Sequence, residues 1–138
     1  MTKVRALLLC DQAFQEAGTG SWYVLGVHDR IAAPVLPAHY PLQVFWSLDE
    51  FPGDAMVMVT VRDNVGAVVK AMRAKVPRLP TPSLDGVFPF PPLALAHAGS
   101  YSVELQVADQ LLAVCSLWVE HVPGLGEAPA PPAPPTPG

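Results

Sequence analysis

Residues 99–122 read GSYSVELQVADQLLAVCSLWVEHV, and this stretch decides the fold. Tyr101, Val103, Leu105 and Val107 alternate with Ser102, Glu104, Gln106 and Ala108, a period of two that sets one side of a strand on a core and the other in water. Residues 108–110, ADQ, make a short reversal. Beyond it Leu111, Ala113, Cys115, Leu117 and Val119 alternate with Leu112, Val114, Ser116, Trp118 and Glu120, so the stretch predicts two paired antiparallel strands.

The same pattern recurs upstream. LQVFWSLDEF places Leu42, Val44, Trp46 and Leu48 on one side and Gln43, Phe45, Ser47 and Asp49 on the other, and AMVMVTVRD carries the β-branched face Val57, Val59 and Val61. The turn DNVG joins that strand to AVVKAMRA, predicting a hairpin over 55–73. Residues 3–14 and 21–31 predict another hairpin around AGTG. Six prolines in VPRLPTPSLDGVFPFPPL remove backbone donors and rule out a central strand, so this segment is expected to cross the surface as an extended connection. The short LALAH after it is expected to be an edge strand. No segment is long or well capped enough for a helix to compete. The fold class that follows is all-β, an antiparallel immunoglobulin-like sandwich of seven or eight strands spanning residues 1–122. Residues 123–138, PGLGEAPAPPAPPTPG, have no side chain able to pack and are expected to form a disordered, proline-rich tail.

The opening MTKVRALLLCDQ poses a separate question, because a basic start, a leucine run and a cysteine suggest an export signal with a lipid-anchored cysteine. The apolar stretch is only Ala6 to Leu9, and Leu9 occupies the place before Cys10 where such a signal wants a small residue. A first strand is the better expectation, with Val4, Ala6, Leu8 and Cys10 on one face and Arg5, Leu7, Leu9 and Asp11 on the other. The expected location is then the cytoplasm, where Cys10 and Cys115 act as reduced packing residues.

Composition narrows the function classes. The chain is 51% apolar, enough for a real core, with 14% charged residues and a formal net charge of −4. Basic residues form no stripe, so nucleic acid is not an expected partner, and no apolar run reaches the roughly 18–20 residues that cross a bilayer. His28, His39, His97 and His121 lack the paired spacing of zinc ligands. Asp49, Glu50 and Asp54 crowd one loop, with only Asp109 or Asp63 to complete a calcium site from a facing loop. No nucleophile elbow or phosphate-binding glycine loop occurs, so neither a catalytic residue nor a cofactor is expected. Trp46 shares the apolar side of its strand and reads as core, Trp22 fits either environment, and Trp118 sits beside Ser116 and Glu120 and reads as half exposed.

LLLCDQAF, GVHDRI, the proline-rich loop and AGSYSVELQVADQLLAVCSLWVEHV together resemble an uncharacterised bacterial family of small cytosolic β-sandwich proteins, over residues 3–122. The resemblance implies no established activity. Asp11, Asp29 and Arg30 match its polar positions and read as strand-end hydrogen-bonding and charge-pairing groups. The expected function is a non-enzymatic interaction module or scaffold whose partner is another protein or a second copy. Leu7, Leu9, Leu112, Val114 and Trp118 are the expected interface, as large apolar residues on faces that a monomer would leave in water. The alternative is a sandwich that binds carbohydrate through Trp118 or calcium through the loop from Asp49 to Asp54.

Overall fold

In the computed structural model, which describes residues 1–124, nine strands form two packed sheets. They are β1 (Lys3–Gln15), β2 (Trp22–His28), β3 (Arg30–Ala33), β4 (Ala38–Asp49), β5 (Ala55–Arg62), β6 (Val68–Val76), β7 (Leu84–Leu95), β8 (Gly99–Val107) and β9 (Gln110–His121). A four-stranded sheet has the order β2-β1-β4-β7, and a five-stranded sheet the order β3-β9-β8-β5-β6. Every pairing is antiparallel except β3 on β9. The expected proline-rich tail lies mostly in 125–138, outside the described residues.

Two differences raise the strand number above the seven or eight expected. Residues 21–31 do not make one strand: the chain breaks at Asp29, leaves β1, and continues as β3 along the other sheet, where the Trp118 amide donates to the Asp29 carbonyl at 2.9 Å. The proline-rich connection also ends in a strand, because β7 pairs with β4 along ten positions. Pro89, Pro91 and Pro92 are tolerated there because β7 is an edge and because Pro91 and Pro92 fall where its register against β4 shifts, outside the paired positions. Phe88, Phe90, Leu93 and Leu95 anchor it by burying their side chains.

Between the sheets lies one core. Leu9, Leu42, Val44, Trp46, Leu48, Phe88 and Phe90 pack from one side on Val57, Val59, Val61, Tyr101, Val103, Leu105, Leu117 and Val119 from the other. Each such fully buried side chain is stabilising by about 1.5–3 kcal/mol. Trp46 lies flat across Gly86, which has no Cβ to obstruct the indole, and tilts against Phe88 at a centroid distance of 5.7 Å. The buried Tyr101, near the start of β8, donates its hydroxyl to the His97 carbonyl at 2.8 Å. A tyrosine at this corner, bonded to backbone a few residues upstream, accompanies two face-packed antiparallel sheets in immunoglobulin-like sandwiches, and this chain has both features. Its two cysteines are free.

Candidate functional site

Strand irregularities decide which apolar residues reach the surface. A bulge between Val4 and Ala6 shifts the register of β1 against β4. Val4, Leu7 and Leu9 therefore pack on the central core, while Ala6, Leu8 and Cys10 join Phe45 on the opposite face of the four-stranded sheet. This corrects the expected interface: Leu9 is 3% exposed and belongs to the core, and Leu7 is half-buried against it. A second bulge, in β9 where Gln106 pairs with Leu111 and Leu105 with Ala113, turns Leu112 toward the core and Leu111 outward. Val114 and Trp118 do reach solvent on the outer face of the five-stranded sheet, at 53% and 47% exposure. They stand apart there. Trp118 lies opposite Ser100 on one side and Arg30 on the other, and the ion pairs Arg30–Glu120 (3.2 Å) and Arg62–Glu104 (3.1 Å) occupy the same face.

A group of exposed apolar side chains lies on the other sheet, beside a second buried cluster. Buried Cys10, Ala13 and Phe45 form a second cluster, with Ala6, Leu8, Trp22, Val24 and Val87 partly buried around it. The Trp22 indole tilts onto Phe45 at 5.3 Å. Beyond Cys10, β1 pairs only with β2, so the hairpin overhangs the sandwich. Phe14 and Tyr23 stack on it at 5.4 Å with an interplanar angle of 17°, and both are exposed, as are Leu25 and Val27. The sequence did hold the signal for this surface, since Trp22–Val27, WYVLGV, has no charge and no polar alternation to give the strand a wet side.

Polar groups line the same edge. His28 Nε2 meets Asp11 Oδ1 at 2.6 Å, and the imidazole stands edge-on to Tyr40 at 5.9 Å. Burial, and secondarily the Asp11 carboxylate, push the Tyr40 hydroxyl above its usual pKa. Gly26, at φ +67°, brings its backbone so close to Asp11 that a Cβ would collide with the carboxylate. Arg30 pairs with Glu120, and Asp29 offers its carbonyl to β9, so both residues hold the strand crossing together. In the acidic loop the carboxylates do not converge: Glu50 turns to the N-terminal amine (3.5 Å) and Lys3 (3.6 Å), while Asp49 accepts from the Glu50 amide. Among the described residues no three His, Cys, Asp or Glu side chains gather as metal ligands. Burial raises both thiols, with the Asp11 charge adding to the effect at Cys10 and burial alone taking Cys115 to about 11. Ser47 donates to Asp85 beside the Phe45 cluster. No helix among the described residues is long and apolar enough to cross a membrane.

Comparison with curated proteins gives no match. Among solved structures the fold is similar to part of the Pseudomonas fluorescens alkylpurine DNA glycosylase AlkC, bound to DNA containing an abasic site analogue, at 10% identity and a TM-score of 0.50. That likeness covers 86% of this chain and 30% of the glycosylase, so it concerns fold alone. An immunoglobulin-like protein of Pseudomonas aeruginosa aligns at 11% identity and a TM-score of 0.45, over 87% of this chain and 97% of that one. One sequence family matches nearly all the described chain, over residues 5–120: the protein belongs to DUF6941, a family of unknown function.

Proposed function

We propose that this protein is a cytoplasmic, non-enzymatic interaction module that docks another protein chain on the apolar β1–β2 hairpin that overhangs its four-stranded sheet. One observation carries the reading. Phe14, Tyr23 and Leu25 are exposed together on one face of the overhanging β1–β2 hairpin, with Val27 exposed beside them, while Trp22 and Val24 cover the Phe45 cluster on the opposite face. Single exposed apolar side chains are ordinary, whereas several gathered on one hairpin mark a contact surface. The raised thiol pKa values also favour a packing role for both cysteines, because the thiolate is the reactive form. The test is affinity capture from the native host with the full chain and with a Phe14→Ser/Val27→Ser variant. A defined protein, or the chain itself, retained by the first and lost by the second is expected. If the full chain neither self-associates nor retains any protein, the reading fails.

A second reading rests on Trp118, whose half-exposed indole is flanked by Ser100, Ser116 and Arg30, an arrangement suited to a sugar ring. Calorimetry against a glycan panel tests it. Heat that disappears in Trp118→Ala would support carbohydrate binding, and an absence of heat would remove it.

A further inference from the structure

The basic residues that make no stripe across the chain as a whole gather at one place in the fold. Residues 64–84 hold four of them, Lys70, Arg73, Lys75 and Arg78, and no acidic residue, in a chain whose formal net charge is −4. The first three lie on β6, which ends the five-stranded sheet, and Arg78 follows just beyond it, where its backbone packs against Gly53 of the loop before β5. All four are exposed, and none pairs with a carboxylate among the described residues, whereas Lys3, Arg30 and Arg62 do. The sheet edges also differ in backbone. β7 carries three prolines, β3 is only four residues long, and β2 is interrupted at Gly26 (φ +67°), which its pairing with β1 skips. β6 runs regularly: residues 70–76 pair one for one with 55–61, without glycine or proline. Every second residue of that run turns its N–H and C=O to the open side.

We propose that the β6 edge binds an acidic peptide segment of a partner protein, which adds to the sheet as a further strand. Charge names the occupant. A second copy would set Lys and Arg against Lys and Arg, and like charges opposite one another destabilise a strand pair, whereas carboxylates at those places stabilise it. Register narrows the choice further. Val57 and Val59 face the core, so Arg73, opposite Met58, and Lys75, opposite Met56, stand on the outer face two residues apart. Met72 and Ala74 alternate with them and turn inward against the core. The edge therefore fits a strand in which acidic and apolar residues alternate: its carboxylates reach Arg73 and Lys75, and its apolar side chains extend the packing beyond Met72 and Ala74. Met56, exposed beside Lys75, adds an adaptable apolar flank. Backbone hydrogen bonds supply the affinity of such a strand addition and the alternate side chains its selectivity. A nucleic acid has phosphates for the cations but no amide backbone to continue the ladder. The proposal is independent of the β1–β2 hairpin, which belongs to the other sheet.

The test titrates the isotope-labelled full chain with a synthetic peptide of alternating Glu and Val, matched in length to β6, and follows backbone amide shifts by NMR. Shifts along residues 70–76 are expected, with a Kd of about 1 mM or tighter at low ionic strength that weakens as salt is added. Arg73→Glu/Lys75→Glu is expected to weaken binding at least about tenfold and to take up the alternating Lys and Val peptide instead, while Lys3→Ala binds as wild type does. A peptide of the same composition with its Glu and Val residues in separate blocks, and one N-methylated along its backbone, are each expected to bind at least about tenfold more weakly. Absence of shifts on β6, undisturbed binding after charge reversal, or equal binding of the N-methylated peptide overturns the proposal. So does an oligothymidylate that displaces the peptide from β6 at lower concentration than unlabelled peptide does. Should the charge-reversed variant lose its native circular dichroism, Arg73→Gln/Lys75→Gln supplies the readout, and unchanged binding there counts against the site. Phe14→Ser/Val27→Ser is expected to bind the peptide normally, so loss of the hairpin reading would leave this one standing.

Discussion

Gly86→Ala tests the packing that holds the two sheets together. An added Cβ would fall inside contact distance of Trp46 Cζ2, 2.6 Å from Cη2 and 2.8 Å from Cε2. Ordinary contact begins near 3.4 Å, so the indole has to move by most of an ångström. It has little room to do so, being buried and tilted against Phe88. Overpacking of this kind costs about 1–3 kcal/mol, while replacing glycine lowers the entropy of the unfolded chain and offsets about 0.4–1 kcal/mol. The net expectation is a loss of about 1–2 kcal/mol. With a urea m-value of about 1–3 kcal/mol/M, the midpoint should fall by roughly 0.5–1 M at unchanged m. In a Trp46→Leu background the new methyl meets space rather than a ring, so Gly86→Ala should become neutral or mildly stabilising. The coupling energy should then be about 1–3 kcal/mol. Gly18→Ala, where nothing lies within 4 Å, should stay within about 0.5 kcal/mol of wild type. Additivity of the two core substitutions within about 0.5 kcal/mol would refute the collision as the reason residue 86 is glycine.

Other expectations follow from single contacts. Tyr101→Phe removes the hydroxyl that bonds both the carbonyl and the amide of His97, at 2.8 and 3.3 Å, and urea melts should show a loss of about 1 kcal/mol. Asp63→Ala deprives the β5–β6 turn of the carboxylate that accepts from the Val65 and Ala67 amides, with a cost of about 1 kcal/mol in the same assay. Cys115 has its folded pKa raised from 9.0 to about 11, so above pH 9 the unfolded chain loses this proton while the folded chain keeps it. Stability is therefore full below pH 9 and falls as the pH climbs toward 11, and Cys115→Val should flatten that part of a stability profile measured by thermal melting. Both native thiols should resist a thiol reagent at pH 7.5 and react promptly once denaturant is added.

Alternation along the chain identified the sandwich strands, and it did so because a two-layer sheet protein leaves a period of two wherever one face meets core and the other meets water. Val57, Val59 and Val61, and Tyr101, Val103 and Leu105, sit on the inner side as their spacing requires. The spacing lost its meaning at the bulges. One extra residue near Arg5 exchanges the faces of β1, so Leu9 goes inward and Leu8 outward, and the same event in β9 separates Leu111 from the residues that it alternates with.

Composition and pattern by themselves determined that this is an all-β chain with a leucine-rich first strand and a proline-bearing segment kept from the sheet interior. Those properties are local, set by side-chain branching, by the missing proline donor and by periodic polarity. Tertiary structure alone decided that the strand broken at Asp29 serves both sheets, that Leu84–Leu95 is an edge, and that the β1–β2 hairpin overhangs the rest of its sheet. Each of these depends on which strands become neighbours, and on how far one strand overhangs the next, which are properties of pairing between residues far apart in the chain.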